Sequence, residues 1–197
     1  TILDYLKEYG DYTFSEKPLN EVDSLVLCQF AYLKFDGIVP GIGENAPAVS
    51  MGYLNSHQDK DKLFADERYR EKNTKLYDGM LKSARFSTLR MNYYINIIEP
   101  RQETQFSAVT FFLEDGSVYI AYRGTDETIV GWKEDFNLAF SEPVIGQIRS
   151  VKYLEQAAET FASPFYIGGH SKGGNFAVYA AMNCREDVQE RIGKIYS

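Results

Sequence analysis

The chain has 197 residues, 44% hydrophobic and 25% charged, the mix of an ordinary globular protein; this excludes a disordered tail, a collagen-like fibre and a coiled coil. That length fits one domain of ~100–200 residues, 1–197, with a mainly helical part over 1–88 and a sheet part over 89–197. A net charge of −7 without a Lys/Arg cluster argues against nucleic acid and anionic lipid as partners, because both need a basic face.

The first third reads as helical. Ile2 to Tyr9 is a short amphipathic stretch ended by Gly10. Asn20 is an N-cap, with the acids Glu21 and Asp23 in the first turn, where the helix dipole favours them. Val22, Leu25, Val26, Phe30 and Leu33 then recur on one helical face, and Asp36-Gly37 stops that helix. Residues 37–52 carry four glycines and two prolines and read as a long loop. A further helix has Tyr69, Leu76, Tyr77, Met80 and Ala84 on one side.

The period then changes. Met91–Ile98 and Ser107–Leu113 are rich in aromatic and β-branched residues and read as strands. Asp115-Gly116 is a hairpin turn, and Ser117–Tyr122 is a third strand, apolar enough to be covered on both faces. Ile148, Val151, Leu154, Ala158 and Phe161 mark an amphipathic helix. Pro164–Gly168 is a short buried strand, Phe176–Met182 a helix apolar all round, and Lys194-Ile195-Tyr196 an incipient strand. Alternating strands and helices predict an α/β fold with a mostly parallel sheet between helices.

Cys28 and Cys184 sit in apolar stretches and read as small buried hydrophobes. No Cys/His spacing suits zinc, and no metal or cofactor is expected. The apolar runs fall short of the ~20 residues that span a membrane, and the start lacks a signal-peptide pattern. Reduced cysteines and no signal point to the cytoplasm.

Gly169-His170-Ser171-Lys172-Gly173 fits G-x-S-x-G between a predicted strand and a predicted helix, the context that a nucleophile elbow requires. Such a turn needs glycines where a side chain would clash and lifts the Ser171 hydroxyl clear of the sheet. The other reading is a Gly-rich turn with an incidental serine. The helix start would offer N–H groups and partial positive charge to an oxyanion. Tyr122-Arg123-Gly124-Thr125-Asp126 directly follows the third strand. Lys172 through its backbone N–H, and Thr125 through its backbone N–H with its hydroxyl as a further donor, are therefore the candidate oxyanion donors.

Tyr-Arg-Gly-Thr, then Trp132 and Asp135-Phe136, then Gly-His-Ser-Lys-Gly-Gly resembles the pattern of fungal-type (class 3) triacylglycerol lipases. Over nearly its whole length the chain is more similar to a bacterial family of lipase-like α/β-hydrolases. The segments Leu3–Leu6 and Asn20–Gly37 carry that likeness along with Tyr122–Gly174. The resemblance implies an α/β-hydrolase fold, Ser171 as nucleophile, Thr125 and Lys172 as the oxyanion hole, a lid over Glu127–Phe136, and a small-molecule or lipid acyl ester as substrate.

Two departures stand out. Lys172 replaces the usual Leu. It reads as a solvated lysine whose backbone matters, with a preference for anionic substrates as the alternative. A base is also missing: the chain has two histidines, and none follows Ser171. His170 adjoins the serine on the sharp turn and His57 lies far upstream, while Glu186 and Asp187 read as a solvated helical tail. The expectation is a serine esterase whose acid and base lie beyond residue 197, the chain alone being inactive. The alternative is a non-catalytic hydrolase-like domain that binds an apolar ligand or a protein partner.

Overall fold

The computed structural model describes residues 1–102, 104–125, 143–162 and 164–197. Six strands among them form one sheet in the order β1-β2-β3-β4-β5-β6: β1 Val49–Ser50, β2 Arg90–Glu99, β3 Thr104–Phe112, β4 Val118–Tyr122, β5 Phe165–Gly169 and β6 Ile192–Tyr196. The β1–β2, β2–β3 and β3–β4 pairs are antiparallel; only β4–β5 and β5–β6 are parallel. The expected mostly parallel sheet is therefore corrected to a mostly antiparallel one. The reason is connection length. The Pro100–Gln102 turn and the Asp115-Gly116 hairpin are too short to carry the chain back across the sheet, and a parallel pair needs a crossover of a dozen or more residues.

Helices cover both faces. On one lie α1 (Ile2–Tyr9), α2 (Glu21–Phe30), α3 (Met51–Ser56) and α4 (Arg70–Lys82); their buried residues pack with Met91, Val109, Phe111 and Tyr119 of the sheet. On the other lie α5 (Ile145–Thr160) and α6 (Lys172–Asn183), packed on Phe106, Ala108, Ile120 and Ile167. A short helix, α7 (Glu186–Gln189), precedes β6. Both faces of β4 are covered, and all five of its residues are buried, as its apolar run predicts. Polar tips inside the second core find partners: Tyr122 donates to the Ser150 carbonyl at 2.8 Å, and Tyr153 donates to the Tyr93 carbonyl at 2.8 Å.

Helix α1 ends at Gly10 and α2 starts at Asn20 as the sequence predicts, whereas β1 and the start of α3 fall within the stretch read as loop, Tyr69 and Ala84 lie outside α4, and one helix length and three helix faces differ. Asn20 caps α2 through a capping box with Asp23. That helix ends at Phe30, well before Gly37, and its buried face is Asp23, Val26, Leu27 and Phe30. Val22 and Leu25 point outward instead. The α5 face is rotated likewise, leaving Ile148 exposed and burying Tyr153, Leu154, Ala157 and Ala158. Helix α6 is not apolar all round: Phe176, Ala177, Ala180 and Ala181 are buried, whereas Met182 is 72% exposed. Cys28 and Cys184 are both buried free thiols; burial pushes the Cys28 thiol up, against the opposing pull of its bonds to Tyr119 and Ser24.

A buried ion pair ties the helical layer together. The Arg85 guanidinium meets the Asp23 carboxylate with 1% and 0% of the side chains exposed. Arg85 Nε donates to Asp23 Oδ1 at 2.6 Å, and Nη1 and Nη2 donate to the carbonyls of Tyr12, Thr13, Lys17 and Pro18. Asp23 also accepts from the Tyr5 hydroxyl and the Asn20 N–H. Removing one partner leaves an uncompensated buried charge, so Asp23→Ala is expected to lower unfolding free energy by about 3–5 kcal/mol in urea titrations. Lys75→Ala, which breaks an exposed pair with Glu71, is expected to change it by less than ~1 kcal/mol.

Candidate functional site

Strands β4 and β5 run side by side and in the same direction, with Tyr122 opposite Gly169. The segments after them, 123–125 and 170–172, therefore leave the sheet at the same edge. Ser171 occupies the strand-to-helix turn and has φ 56° and ψ −126°. For a residue with a Cβ this is strained backbone, costing about 1–3 kcal/mol.

Packing forces the turn. A Cβ on Gly173 would sit 2.1 Å from the Tyr122 carbonyl oxygen, and one on Gly169 would sit 2.1 Å from the Gly173 carbonyl carbon. Only glycine lets the first turn of α6 press onto the ends of both strands. The chain must then reverse within one residue, and that residue is Ser171.

The strain has a chemical consequence. A serine at a helix N-cap normally accepts a hydrogen bond from the second or third helical N–H. At Ser171 the side chain makes no such bond. The Gly173 N–H goes to the His170 carbonyl at 3.0 Å and the Gly174 N–H to the Ser171 carbonyl at 2.9 Å. The Ser171 side chain is exposed, at the positive end of a 12-residue helix.

The Arg-Gly-Thr segment lies against this turn. A Cβ on Gly124 would be 2.4 Å from the His170 carbonyl oxygen, so residue 124 touches the residue preceding the serine. Thr125 comes next, at half burial. Arg123 is 1% exposed; its N–H donates to the Ser107 carbonyl at 2.9 Å and its Nη2 to Asn96 Oδ1 at 2.9 Å. Asn96 in turn donates to Asp36, which also accepts from the Tyr94 hydroxyl at 3.0 Å. Burial pushes the Tyr94 phenol up, with Arg123 pulling the other way and Asp36 adding to the rise. This chain of contacts links the 36–44 loop to the edge that carries Ser171. Asp36, Glu44, Tyr94 and Asn96 line an open cavity of about 310 Å³ there.

The structure corrects one reading and narrows others. Lys172 is not solvated: it is 4% exposed, its ammonium donates to the Gln105 carbonyl at 3.4 Å, and it lies 5.8 Å from the Phe176 ring centre. His57 follows a strand at the other end of the sheet. It caps the end of α3, whose adjoining strand β1 pairs with the start of β2; through Arg90, Phe112 and Val118 that level is the start of β4, opposite Tyr122. Its Nδ1 accepts the Asp59 N–H at 3.1 Å. Glu186 and Asp187 are exposed on α7, with Asp187 paired to Arg185 at 3.1 Å. Trp132, Asp135 and the expected lid Glu127–Phe136 lie outside the described residues. No helix among the described residues is long and apolar enough to cross a membrane. Sequence reasoning missed the burial of Lys172 and the Arg123–Asn96–Asp36 link, because no local pattern announces a contact between residues so far apart in sequence.

Two substitutions separate strain from packing. Ser171→Gly relieves the positive φ and is expected to raise unfolding free energy by about 1 kcal/mol. Gly173→Ala drives a methyl into the Tyr122 carbonyl and is expected to cost more than ~2 kcal/mol. Gly52→Ala, whose methyl would meet only Ser50 Oγ at 3.7 Å, is the neutral control; thermal and urea unfolding measure all three.

A family profile described as Mbeg1-like matches residues 80–197, a span that starts within α4 and takes in β2 to β6 with the whole of the Ser171 turn. No curated protein and no solved structure matches the chain. The matched span is more than half of the sequence and holds every candidate site residue, and on that ground the chain belongs to the Mbeg1-like family.

Proposed function

We propose that the protein is a serine hydrolase of the esterase or lipase type, acting on a small-molecule or lipid acyl ester through an acyl-enzyme, on an α/β-hydrolase-like framework. The observation that carries this reading is the Ser171 backbone: a non-glycine residue at φ 56° whose hydroxyl does not cap the helix it begins. Strain of this kind persists only where the surroundings impose it, and it clusters at functional sites.

In the proposed reaction Ser171 Oγ attacks the acyl carbonyl carbon. The carbonyl oxygen gains negative charge and accepts from the backbone N–H groups of Thr125 and Lys172. The tetrahedral species collapses with cleavage of the ester C–O bond. A base takes the Ser171 proton and returns it to the departing alcohol. Water, deprotonated by the same base, then attacks the acyl-enzyme and releases the carboxylic acid and free Ser171.

The base is neither histidine of this sequence. His57 follows α3, whose adjoining strand β1 lies level with the start of β4 and away from Tyr122, and His170 adjoins Ser171 with its carbonyl accepting the Gly173 N–H. The reading therefore assigns the acid and the base outside the described residues. That same fact favours a second reading, a hydrolase-like domain that binds an apolar ligand without turning it over.

A fluorophosphonate probe distinguishes them. On the hydrolase reading the full-length protein is labelled on Ser171, and it hydrolyses p-nitrophenyl butyrate. Ser171→Ala abolishes both. The 197-residue chain alone is expected to show only the residual catalysis of a site lacking its base, ~10³–10⁴-fold over water. A full-length protein that folds, resists the probe and leaves the ester intact supports the binding reading.

A further inference from the structure

We infer that Tyr32, contributed by the helical layer, is a third hydrogen-bond donor to the substrate oxygen at the Ser171 site. The inference rests on the serine-hydrolase reading and deepens it. Its basis is a close approach between segments that are distant in sequence.

Tyr32 lies just past the last turn of α2, where its N–H donates to the Gln29 carbonyl at 3.1 Å. The side chain is half-buried, and its hydroxyl comes to rest over Gly124: a Cβ built there would lie 2.5 Å from the Tyr32 oxygen and 2.4 Å from the His170 carbonyl oxygen. The phenol and the carbonyl thus both close on residue 124, with no room between them for a methyl group. Gly124 precedes the candidate oxyanion residue Thr125, and His170 precedes the candidate nucleophile Ser171. The Tyr32 hydroxyl stands at the junction of the two segments that make the proposed site.

The placement suits a donor on three physical grounds. First, a phenol O–H projects from a rigid ring with few rotatable bonds, so little entropy is lost in aiming it. Second, the position is imposed: any side chain at residue 124 would displace either the phenol or the elbow, so the glycine there maintains the approach. Third, the turn begins a 12-residue helix, and the field at a helix N-terminus favours an oxygen that carries negative charge. A donor there strengthens as the carbonyl oxygen becomes an oxyanion, and that is the condition for lowering the barrier rather than only binding the ester.

Tyr32 lies before residue 80, outside the span that the family profile matches, so the helical layer completes the site rather than merely covering the sheet.

The test is Tyr32→Phe, which removes one hydroxyl and keeps the ring. On the full-length protein, kcat for p-nitrophenyl butyrate is expected to fall about 100-fold with KM nearly unchanged, the pattern of an interaction made in the transition state. The rate of fluorophosphonate labelling should fall in step, while the melting temperature stays within the error of wild type. Tyr179→Phe, a half-exposed tyrosine of α6 outside the site, serves as the control and leaves the rates unchanged. If wild type is labelled and Tyr32→Phe reacts at the wild-type rate, the Tyr32 assignment is wrong and the hydrolase reading survives. A lower melting temperature with unchanged kcat would make Tyr32 a packing residue and also overturn the assignment. If wild type itself resists the probe, both fall together.

Discussion

The close approach of Gly173 to the Tyr122 carbonyl organises the site end of this protein. Helix α6 begins against the ends of β4 and β5, at a distance that no Cβ would permit. That contact brings two parallel strands and a helix N-terminus to one point. It leaves a single residue to reverse the chain, and so sets Ser171 at positive φ. The serine loses its usual capping bond in the process, and its hydroxyl faces outward beside the helix dipole. A backbone constraint of a few kcal/mol thereby sets where the Ser171 hydroxyl stands, which is why the turn outweighs any single side chain in the proposed mechanism.

The two helical layers act differently around that point. Helices α5 and α6 make the crossovers that allow β4, β5 and β6 to run parallel, and so bring the 123–125 and 170–172 segments to the same edge. The other layer is held by the buried Arg85–Asp23 pair, whose desolvation cost is met by four backbone carbonyls, the Asn20 N–H and the Tyr5 hydroxyl. That network fixes the N-terminus of α2. The far end of α2 leads to Tyr32 at Gly124 and to Asp36 at Tyr94 and Asn96. The site edge is therefore lined from both faces of the sheet.

Much of this is legible in the sequence, because the signals are local. Gly10, the Asn20 N-cap and the Asp115-Gly116 turn each act within a few residues, and each lies where the sequence predicts. The Gly-x-Ser-x-Gly turn is legible for the same reason: a strand run, two small residues and a helix start sit side by side. Features of longer range are not. Alternating strands and helices suggest a parallel sheet, whereas the short connections after β2 and β3 decide its direction. The faces of α2 and α5 are rotated from expectation because both helices also bury polar residues, Asp23 and Ser24 in one and Gln147 and Ser150 in the other, so apolar periodicity alone misplaces the buried side. Lys172 reads as solvated because a lysine normally is; its burial depends on Gln105 and Phe176, of which only the second is a helical neighbour.

The central claim is that the Ser171 turn and the Thr125 segment together form an acyl-transfer site. The most direct measurement is a crystal structure of the protein after reaction with a fluorophosphonate. The account predicts a phosphonyl group on Ser171 Oγ, with its phosphoryl oxygen accepting from the backbone N–H groups of Thr125 and Lys172. A group attached to another residue, or a phosphoryl oxygen turned to solvent with Thr125 out of reach, would contradict it.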